Sequence, residues 1–311
     1  MTTRRKILTI IAGAAALPAV GARASNDLKQ WRGIALGANA HIILEHPDAD
    51  RLINNAVDEI HRLEKIFSLY QADSQISRLN NEGVLHEPAF EMIELLSLCS
   101  RLNECTKGAF DPTVQALWSL YAESFSAGRY PTEKRIHQAL SVTGWNHVEF
   151  STQQVSFDHA GVMLTLNGIA QGYIADKVKK LLSDNGVTSA LVNAGEIATL
   201  GGGPKGDGWQ VELRNSQDQN IPLHNRSIAT SALLGTTFNA NGTVGHILDP
   251  RTGYAGGVWS EVSVVSNSSA EADGLSTAFC LMPEAEISAC KGDSEVYLSC
   301  LSSDKLEHVS L

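Results

Sequence analysis

Apolar residues recur at helical spacing through the first half of the chain. Over residues 50–67 they fall three or four positions apart, which places them on one face and predicts an amphipathic helix. These positions are Leu52, Ile53, Ala56, Val57, Ile60, Leu63 and Phe67. The same spacing predicts a helix over 89–105 and another over 131–140, which Pro131 begins because proline is tolerated in a first helical turn.

Short apolar runs replace this pattern in the second half of the chain. Residues 155–157 and 162–166 predict two strands that form a hairpin, and a helix is predicted over 170–185, ended by Asn185 and Gly186. Other strands are predicted at 41–44, 190–193, 209–214, 228–231, 245–248, 262–265 and 295–301. Because helices and strands do not alternate regularly, we predict an α+β fold of mixed helices and short strands.

The composition is that of an ordinary globular protein, with 43% hydrophobic and 19% charged residues among 311. The chain holds 34 acidic residues against 24 basic ones. A nucleic-acid-binding surface is therefore not expected, because phosphate backbones require clustered basic side chains.

The amino-terminal segment has the features of an export signal. Arg4 and Arg5 precede an apolar run over 9–20, which is too short to span a bilayer and is followed by a small-residue cleavage site. The paired arginines favour a twin-arginine signal, with a general secretory signal as the alternative. We therefore divide the chain into a cleavable signal over 1–24 and one catalytic domain over 25–311, and we expect a soluble periplasmic protein.

The five cysteines stand at positions 99, 105, 280, 290 and 300. Their number is odd, and no two are spaced as in a C-x-x-C motif. We expect most of them to be buried small apolar residues, with a disulfide between Cys290 and Cys300 as the alternative.

A carboxylate and a hydroxyl stand at helical spacing near the carboxyl terminus. Asp273 and Thr277 are four residues apart, so on a helix both side chains lie on one face, a turn apart. Two hard oxygen donors suit Mg²⁺, which commonly shares its ligands with phosphate groups. His246, in the preceding run Gly-His-Ile-Leu-Asp-Pro-Arg-Thr-Gly, adds a titratable group.

The same three residues also have an ordinary structural interpretation. Asp273 would be an N-cap, Thr277 a packed helix residue and His246 a hydrogen-bonded strand residue. From spacing alone this interpretation is the more frequent one, so the other segments of the chain must decide between the two.

Two polar segments precede the strand-rich half. Residues 67–80 leave a helix without a simple turn, and taken alone they are best interpreted as a surface loop with a Ser or Asp cap. Residues 107–113 hold Gly108, which permits close approach to a ligand, and Asp111, which Pro112 excludes from helical geometry. The alternative for this second segment is a turn that caps the next element.

Two glycine-rich segments follow. Residues 165–176 pass from a strand through a turn into a helix, an arrangement that directs backbone N–H groups and the helix dipole at an anion. Residues 201–208 are followed by a strand rather than a helix, so we interpret them as a hairpin connection and not as a phosphate-binding loop.

Taken in order, these segments resemble the ApbE family, the FAD:protein FMN transferases. The family's blocks FSxYxxxSxxSxLN, GAFDPT, GIAxGY, HIxDPxTG and ADxLxTA correspond to residues 67–80, 108–113, 168–173, 246–253 and 272–278. The likeness extends from about Leu36 to the last predicted strand. Five blocks in the right order are far more specific than any one alone, and they favour the functional interpretation of Asp273, Thr277 and His246.

The resemblance implies a T-fold-like catalytic domain with magnesium-dependent transferase activity. Such an enzyme cleaves the pyrophosphate of FAD, attaches FMN through a phosphoester to a Ser or Thr of an acceptor protein, and releases AMP. The resemblance implies His246 in the catalytic block, metal ligands at Gly168, Asp273 and Thr277, and flavin contacts at Leu36, Tyr70, Ala109, Phe110, Asp111, Thr165, Gln171 and Ile247. Acceptors in the family are often membrane-bound respiratory subunits.

Three positions depart from the family pattern. The chain has Thr165 where the family usually has Asp, Gln171 where it has Lys, and Glu196 where it has a second Gly. If the Asp and the Lys pair with each other in the usual family site, their joint loss leaves no unpaired ion, which is less costly than losing one partner. Gln171 can still donate a hydrogen bond, but as a neutral group it stabilises a phosphate less.

These departures and the export signal resemble the periplasmic, NosX-like branch that is associated with nitrous oxide reductase maturation. Two alternatives to FMN transfer stay open. One is an FAD pyrophosphatase that uses water in place of the acceptor hydroxyl. The other is an FAD-binding accessory protein in which the changes at Thr165 and Gln171 have ended catalysis.

Overall fold

The computed structural model describes residues 28–204, 206–213, 220–302 and 305–311. The export signal predicted over 1–24 lies outside these residues. Helices and antiparallel strands are mixed along the chain, which confirms the α+β prediction. Among the described helices, none is both long and apolar enough to cross a membrane.

Helices make up much of the amino-terminal half and recur near the end. Those in the described ranges are α1 Ala49–Phe67, α2 Gln75–Glu82, α3 Phe90–Cys105, α4 Gln115–Ser126, α5 Glu133–Leu140, α6 Ala170–Asp184, α7 Ser269–Phe279 and α8 Glu284–Cys290. The three longest, α1, α3 and α6, follow the predicted apolar periods closely. Pro131, however, precedes α5, because Thr132 is the N-cap and its side chain accepts from the Arg135 N–H.

The strands pair antiparallel throughout the described part of the chain. They are β1 Lys29–Ala35, β2 Ala38–Leu44, β3 Val84–His86, β4 Val148–Phe150, β5 Gln154–Phe157, β6 Ala190–Asn193, β7 Ile197–Leu200, β8 Trp209–Glu212, β9 Asn220–Leu223, β10 Ser227–Ala232, β11 Glu261–Ser266, β12 Glu295–Ser302 and β13 Lys305–Ser310. The large sheet has the order β1-β2-β6-β7-β10-β11-β12-β13, beside smaller sheets β3-β5-β4 and β8-β9. Sheet order thus places β10 between β7 and β11, next to β7 although the β8–β9 ribbon separates the two in sequence.

The central strands of the large sheet are buried on both faces. Successive strand residues point to opposite faces, and along β2 Ile42 and Leu44 belong to the main core whereas Ile43 belongs to a second core. Helices α1, α3, α6 and α7 contribute to the main core, and the β8–β9 ribbon contributes Trp209 and Ile221 to the second. The helical layer and the ribbon therefore cover opposite faces of one sheet.

Two predicted strands are not formed. Residues 162–166 do not pair with β5, which lies between β3 and β4; instead Asn80 bonds both backbone groups of Leu164. Residues 245–248 make only isolated bridges from Gly245 and Leu248. Residues 162–166 alternate because every second side chain is buried, whereas in the other segment Ile247 and Leu248 are both buried. No described strand pairs with either segment in a continuous ladder.

Two loop predictions are partly right. Residues 67–80 contain the expected serine cap, since the Ser74 side chain accepts from the Ser77 N–H, but that cap begins helix α2. The glycine-rich run from Gly201 joins β7 to β8 as expected of a connection between strands. It is not a hairpin, because β7 and β8 belong to different sheets.

Helices α6 and α7 pack closely because a glycine lies where they meet. A Cβ on Gly172 would lie 2.2 Å from the carbonyl oxygen of Ser269, so a larger residue cannot be placed there without movement. The Asp176 carboxylate of α6 accepts from Ser268 Oγ at 2.8 Å and from the Ala270 N–H at 3.0 Å. It therefore caps α7 and places a negative charge at the positive end of its dipole.

A disulfide joins the end of α3 to the end of α8. Cys105 and Cys290 have Cα atoms 5.6 Å apart, within the usual range for a disulfide. The predicted alternative, a bridge between Cys290 and Cys300, is wrong. Cys99 and Cys280 are buried free thiols as expected, and Cys300 is free and half-buried.

Candidate active site

Asp273 and Thr277 lie one turn apart inside α7. The N-cap of this helix is Ser268, whose side chain accepts from the Glu271 N–H, so the alternative interpretation of Asp273 as a cap is wrong. Asp273 is only 4% exposed, and Thr277 is half-buried. A buried carboxylate inside a helix is unusual unless it is hydrogen-bonded or binds a cation.

Both side chains face the turn that begins α6. The Asp273 carboxylate accepts a hydrogen bond of 3.1 Å from the Gly172 N–H. A Cβ on Gly168 would lie 3.1 Å from Thr277 Oγ1, so the hydroxyl lies against the backbone of that glycine. The structure thus brings together the three predicted metal ligands, Gly168, Asp273 and Thr277.

Gln171 lies against the tight turn between β6 and β7. Its side chain is 7% exposed, and a Cβ on Gly195 would lie 2.5 Å from its Cδ. Gly195 has φ +111°, a conformation that other residues rarely adopt. The next residue, Glu196, accepts from the Thr230 N–H at 3.2 Å and so ties this turn to β10. Two of the three departures from the family pattern therefore share one turn.

The second block forms a buried turn that follows α3. Ala109, Phe110 and Asp111 are all less than 10% exposed. The Asp111 carboxylate accepts from the Thr113 N–H at 2.9 Å, from Thr113 Oγ1 at 2.6 Å and from the Trp145 N–H at 2.9 Å. Burial raises the pKa of Asp111, and these hydrogen bonds act in the opposite direction. The carboxylate therefore holds the turn in shape.

The second, third and fifth blocks meet at Gly274. A Cβ added there would lie 3.4 Å from atoms of both Ile169 and Phe110. The Thr165 N–H also donates to the Pro112 carbonyl at 2.8 Å, which places Thr165 beside the second block. Three segments that are distant in sequence thus form one packed group around the start of α6.

His246 lies in the long loop after β10 rather than in a strand. Its backbone N–H and its Nδ1 lie 3.0 and 3.1 Å from the carbonyl oxygen of Thr236. Because a carbonyl oxygen only accepts, Nδ1 carries the proton, and the neutral ring has its lone pair at Nε2. The neighbouring Ile247 is 6% exposed and fixes the loop in the core.

The turn that follows His246 reaches the other blocks through Arg251. Its guanidinium donates to the Asp249 carboxylate at 2.9 and 2.8 Å and to the Leu281 carbonyl, just beyond α7, at 3.1 Å. Its Cγ lies 3.9 Å from the position of a Cβ on Gly108. The fourth block therefore contacts the second block and the end of α7.

Leu36 and Tyr70 meet at the turn between β1 and β2. Leu36 has φ 46° and Gly37 has φ 75°, as a two-residue hairpin turn requires. The Leu36 N–H donates to Glu64 Oε1 at 2.8 Å, and the Tyr70 ring lies 3.3 Å from the position of a Cβ on Gly37. Tyr70 is 70% exposed, so its ring can stack on a planar ligand at this edge.

Two residues near the site were not predicted from the sequence, Asn80 and Ser231. Asn80 accepts from the Leu164 N–H at 2.7 Å and donates to the Leu164 carbonyl at 2.8 Å, and so positions the residue before Thr165. The sequence feature that points to Asn80 is its position as the last residue of the first block. Ser231 lies 3.2 Å from Thr277 Oγ1, and nothing in the sequence distinguishes it from other strand serines.

The donor set around α7 fits Mg²⁺. All the candidate ligands are oxygen atoms, namely a carboxylate, a hydroxyl and a backbone carbonyl, which are the ligands that hard cations prefer. The missing side chain of Gly168 leaves room beside Thr277 that a Cβ would fill. The arrangement is therefore suited to a divalent cation that is shared with an anionic ligand.

A groove of about 560 Å³ lies elsewhere, between α3, α6 and the start of α7. Phe90, Tyr173 and Lys177 are among its lining residues, and it includes none of the predicted site residues. The assembled group around Asp273 and this groove are therefore distinct surfaces.

Comparison with known proteins identifies a family for this chain. The sequence profile of the ApbE family matches residues 36–297. An FAD:protein FMN transferase from Vibrio cholerae is 30% identical over 251 residues, which is 76% of this chain and 73% of the relative. One from Klebsiella pneumoniae is 26% identical over 264 residues, 80% of each chain.

Solved structures agree with this result. The ApbE protein of Thermotoga maritima superposes with a TM-score of 0.78 at 25% identity, over 88% of this chain and 94% of that one. The apo flavinyl transferase ApbE of Pseudomonas stutzeri has a TM-score of 0.81 at 24% identity, over 92% and 95% of the two chains. The resemblance predicted from the five blocks is confirmed.

Proposed function

The chain belongs to the ApbE family, and from that premise we propose that it is a magnesium-dependent FAD:protein FMN transferase. It takes FAD as substrate, attaches FMN to a Ser or Thr hydroxyl of an acceptor protein and releases AMP. One observation carries the proposal most strongly: Asp273 and Thr277 of α7 both face the turn over 168–172.

The metal ligands in this proposal are Asp273, Thr277 and the backbone carbonyl of Gly168. A divalent cation held by these ligands would supply positive charge to stabilise the diphosphate and its leaving group. The nearby amino-terminal end of α6 adds its own positive dipole, which also favours an anion. The proposed flavin contacts are Leu36, Tyr70, Ala109, Phe110, Asp111, Thr165, Gln171 and Ile247. The Asp111 carboxylate also holds the second block in shape.

The reaction exchanges one P–O bond for another. The acceptor oxygen bonds to the phosphorus on the FMN side, the bond from that phosphorus to the bridging oxygen breaks, and AMP leaves with the electron pair. The hydroxyl proton passes to Nε2 of His246, the nitrogen that holds the lone pair while Nδ1 donates to Thr236. The Thr236 carbonyl therefore orients the base and sets its tautomer.

The residues that depart from the family pattern near the proposed flavin pocket affect the affinity for FAD rather than the type of reaction. Gln171 is buried, uncharged and packed on Gly195, so it can donate a hydrogen bond but supplies no positive charge to a phosphate. Glu196 is engaged with the Thr230 N–H, which supports a structural role for this acid at the β6–β7 turn. Weaker FAD binding than in relatives with Lys at position 171 is the expected consequence.

The acceptor and the compartment are further parts of the proposal. The paired Arg4 and Arg5 support export by a twin-arginine signal, and the disulfide between Cys105 and Cys290 is typical of an oxidising compartment such as the periplasm. A membrane-bound respiratory subunit is the proposed acceptor, and maturation of nitrous oxide reductase is the proposed setting.

The experiment that tests the function separates it from both alternatives. The purified mature protein is incubated with FAD, Mg²⁺ and candidate acceptor domains, and all products are identified by mass spectrometry. FMN covalently bound to an acceptor Ser or Thr supports the transferase. Free FMN and AMP without acceptor labelling would identify a pyrophosphatase, and intact FAD retained by the protein would identify an accessory binding protein.

A further inference from the structure

Two histidines and an aspartate meet at the end of the β4–β5 hairpin, away from the group around Asp273. The register pairs Val148 with Phe157, so His147, before β4, lies opposite Asp158, after β5. His159 follows immediately in the chain. Among the described residues, these three form the only group of three or more His, Cys, Asp or Glu side chains whose ligand atoms converge.

The two imidazoles converge on one carboxylate oxygen. His147 Nδ1 lies 2.9 Å from Asp158 Oδ1, and His159 Nδ1 lies 2.7 Å from the same atom. One ligand atom from each residue can be chosen so that all three lie within 4.8 Å of one another. A tetrahedral site with metal–ligand bonds of about 2.0–2.1 Å has ligand atoms roughly 3.3 Å apart, so only small side-chain movements separate the two arrangements.

Exposure and anchoring suit a site that a metal can enter. The His147 side chain is 15% exposed and immediately precedes β4, whereas the Asp158 and His159 side chains are 40% and 57% exposed. The Asp158 N–H also donates to the His147 carbonyl at 3.2 Å, which fixes the two backbones relative to each other. One ligand is therefore held in place, and the other two can adjust around an ion from solvent.

We propose that His147, Asp158 and His159 form a binding site for a divalent transition metal of the zinc class. Two imidazoles and one carboxylate suit Zn²⁺, Ni²⁺ or Cu²⁺, whereas Mg²⁺ prefers oxygen ligands alone. Three protein ligands leave a fourth position for water or an external ligand. The site is separate from the proposed magnesium site in both position and donor chemistry, and it does not depend on the transferase proposal.

The position of this site couples it to the flavin pocket. The segment that leads into His147 gives the Trp145 N–H to Asp111 Oδ2 at 2.9 Å and the Gly144 N–H to Thr113 Oγ1 at 2.7 Å. A metal that joins His147 to the end of β5 therefore steadies the backbone that holds the second block. Bound Zn²⁺ is expected to slow hydrogen exchange at the Trp145 amide.

The test is a direct metal titration of the mature protein without an affinity tag. Zn²⁺ is titrated against a chromophoric chelator with millimolar Mg²⁺ present, so that the site at Asp273 is already occupied. We expect one equivalent of Zn²⁺ per chain. Asp158→Asn and His159→Ala should each raise the Kd by about 100-fold, at least the cost of losing an outer-shell partner.

The matched control is His61→Ala, since His61 is an exposed histidine on α1. It should bind Zn²⁺ with the wild-type Kd. Because Asp158 and His159 are exposed, their variants should keep the circular dichroism spectrum of the parent. The visible absorption of bound Co²⁺ gives a second measurement, and it should disappear in both variants. Absence of stoichiometric binding by the wild type, or a wild-type Kd in either variant, would overturn the proposal.

Discussion

Three glycines set the distances between the polar side chains of the candidate site. Gly168 lets Thr277 lie against the backbone, Gly172 gives its N–H to Asp273, and Gly195 leaves space for Gln171. Each position would require the neighbouring group to move if a Cβ were added. At this scale the site is therefore made by residues that lack side chains as much as by those that carry the chemistry.

Removal of the Asp273 charge should abolish most of the Mg²⁺-dependent transfer. Asp273→Asn keeps an oxygen that can accept from Gly172 but loses the charge that binds the cation. Loss of several kcal/mol of electrostatic stabilisation corresponds to about 10³-fold or more in rate. Steady-state transfer assays over a range of Mg²⁺ concentrations measure this. Glu271→Gln, the same charge change on the same helix, is the control and should retain activity; equal loss in both variants would argue against a specific role.

His246→Ala should reduce the transfer rate by about 10²–10⁴-fold, the usual contribution of one positioned base. FAD affinity should change little, because the proposed flavin contacts are other residues. Single-turnover kinetics and equilibrium FAD titration separate the two effects. The control is His86→Ala at the exposed end of β3. Undiminished turnover of the His246 variant would exclude the base role.

The sequence predicts which side chains lie together within one helix, but not which side chains meet between distant segments. Asp273 and Thr277 share a face because the helical period is regular, so spacing alone was enough. Contacts between segments were not foreseeable, because Ser231 lies against Thr277, 46 positions away, and Asn80 bonds Leu164, 84 positions away. Such contacts depend on which strands become neighbours, and side-chain spacing within a segment carries no information about that order.

At the scale of elements, the helices were predicted more accurately than the strands. The apolar period of α1 recurs over five turns and identifies the buried face without reference to any neighbour. Residues 162–166 alternate as strands do, and residues 245–248 form a short apolar run, yet the two segments bond to a side chain and form isolated bridges, respectively. A strand requires a partner backbone, and alternation alone does not supply it.

Gly172→Ala tests how closely α6 must approach α7. The new methyl group would meet the Ser269 carbonyl, and overpacking of this kind costs typically about 1–3 kcal/mol. Gly172 also donates its backbone N–H to the Asp273 carboxylate. Displacing this residue should therefore lower the Mg²⁺ affinity together with the stability. Chemical denaturation and Mg²⁺ titration measure the two changes. Lys180→Ala, which changes an exposed residue of the same helix, is the control and should alter neither free energy by more than about 0.5 kcal/mol. A Gly172→Ala protein as stable as the wild type would contradict the packing argument.

The ion pair between Arg62 of α1 and Glu91 of α3 should stabilise the fold less at acid pH. Burial alone would raise the pKa of Glu91, but hydrogen bonding and charge from Arg62 outweigh it, and the pKa lies below its ordinary value of 4.5. A lowered carboxyl pKa stabilises the fold above the ordinary value, and the gain disappears as pH falls through the folded-state pKa. Glu91→Gln should therefore lose about 0.2–1 kcal/mol at neutral pH.

Denaturant unfolding at several pH values measures this difference. The deficit of the Glu91 variant should shrink towards zero well below pH 4.5, where the wild-type carboxyl is protonated too. Glu104→Gln removes an exposed acid from the same helix and should show little change. A deficit that is constant with pH would indicate lost packing rather than a lost ion pair.

At the scale of the whole molecule, a disulfide links α3, which ends beside the second block, to α8, which follows α7. Cys105 and Cys290 are 185 residues apart in sequence, so the bond closes most of the domain into a loop. It thereby restricts the unfolded chain strongly, while the folded site gains a fixed connection between two of its supporting elements.

Loss of this disulfide should lower the stability of the domain by about 2–4 kcal/mol. The double variant Cys105→Ser with Cys290→Ser removes it, and thermal unfolding with and without reductant measures the effect. Reductant should lower the Tm of the wild type but leave that of the double variant unchanged. Cys300→Ser, which alters a free cysteine, should respond to reductant as the wild type does. Insensitivity of the wild type to reductant would contradict this account.

The sheet order explains why the α+β class was predictable but the architecture was not. Regular helices mixed with short strands identified the class. The neighbours β7 and β10, however, come together across the β8–β9 ribbon, and β2 pairs with β6 across more than half the domain. Short strands of four residues carry too little pattern to select such distant partners.

The most direct measurement is a crystal structure of the protein with FAD and Mn²⁺, in which anomalous scattering locates the cation. Mn²⁺ accepts the same oxygen ligands as Mg²⁺. We predict one peak within coordination distance of the Asp273 carboxylate and the Thr277 hydroxyl, with the FAD diphosphate on its open side and His246 facing the FMN phosphorus. Absence of a cation at α7, or a diphosphate seated in the groove beside Phe90 and Tyr173, would contradict the proposed active site.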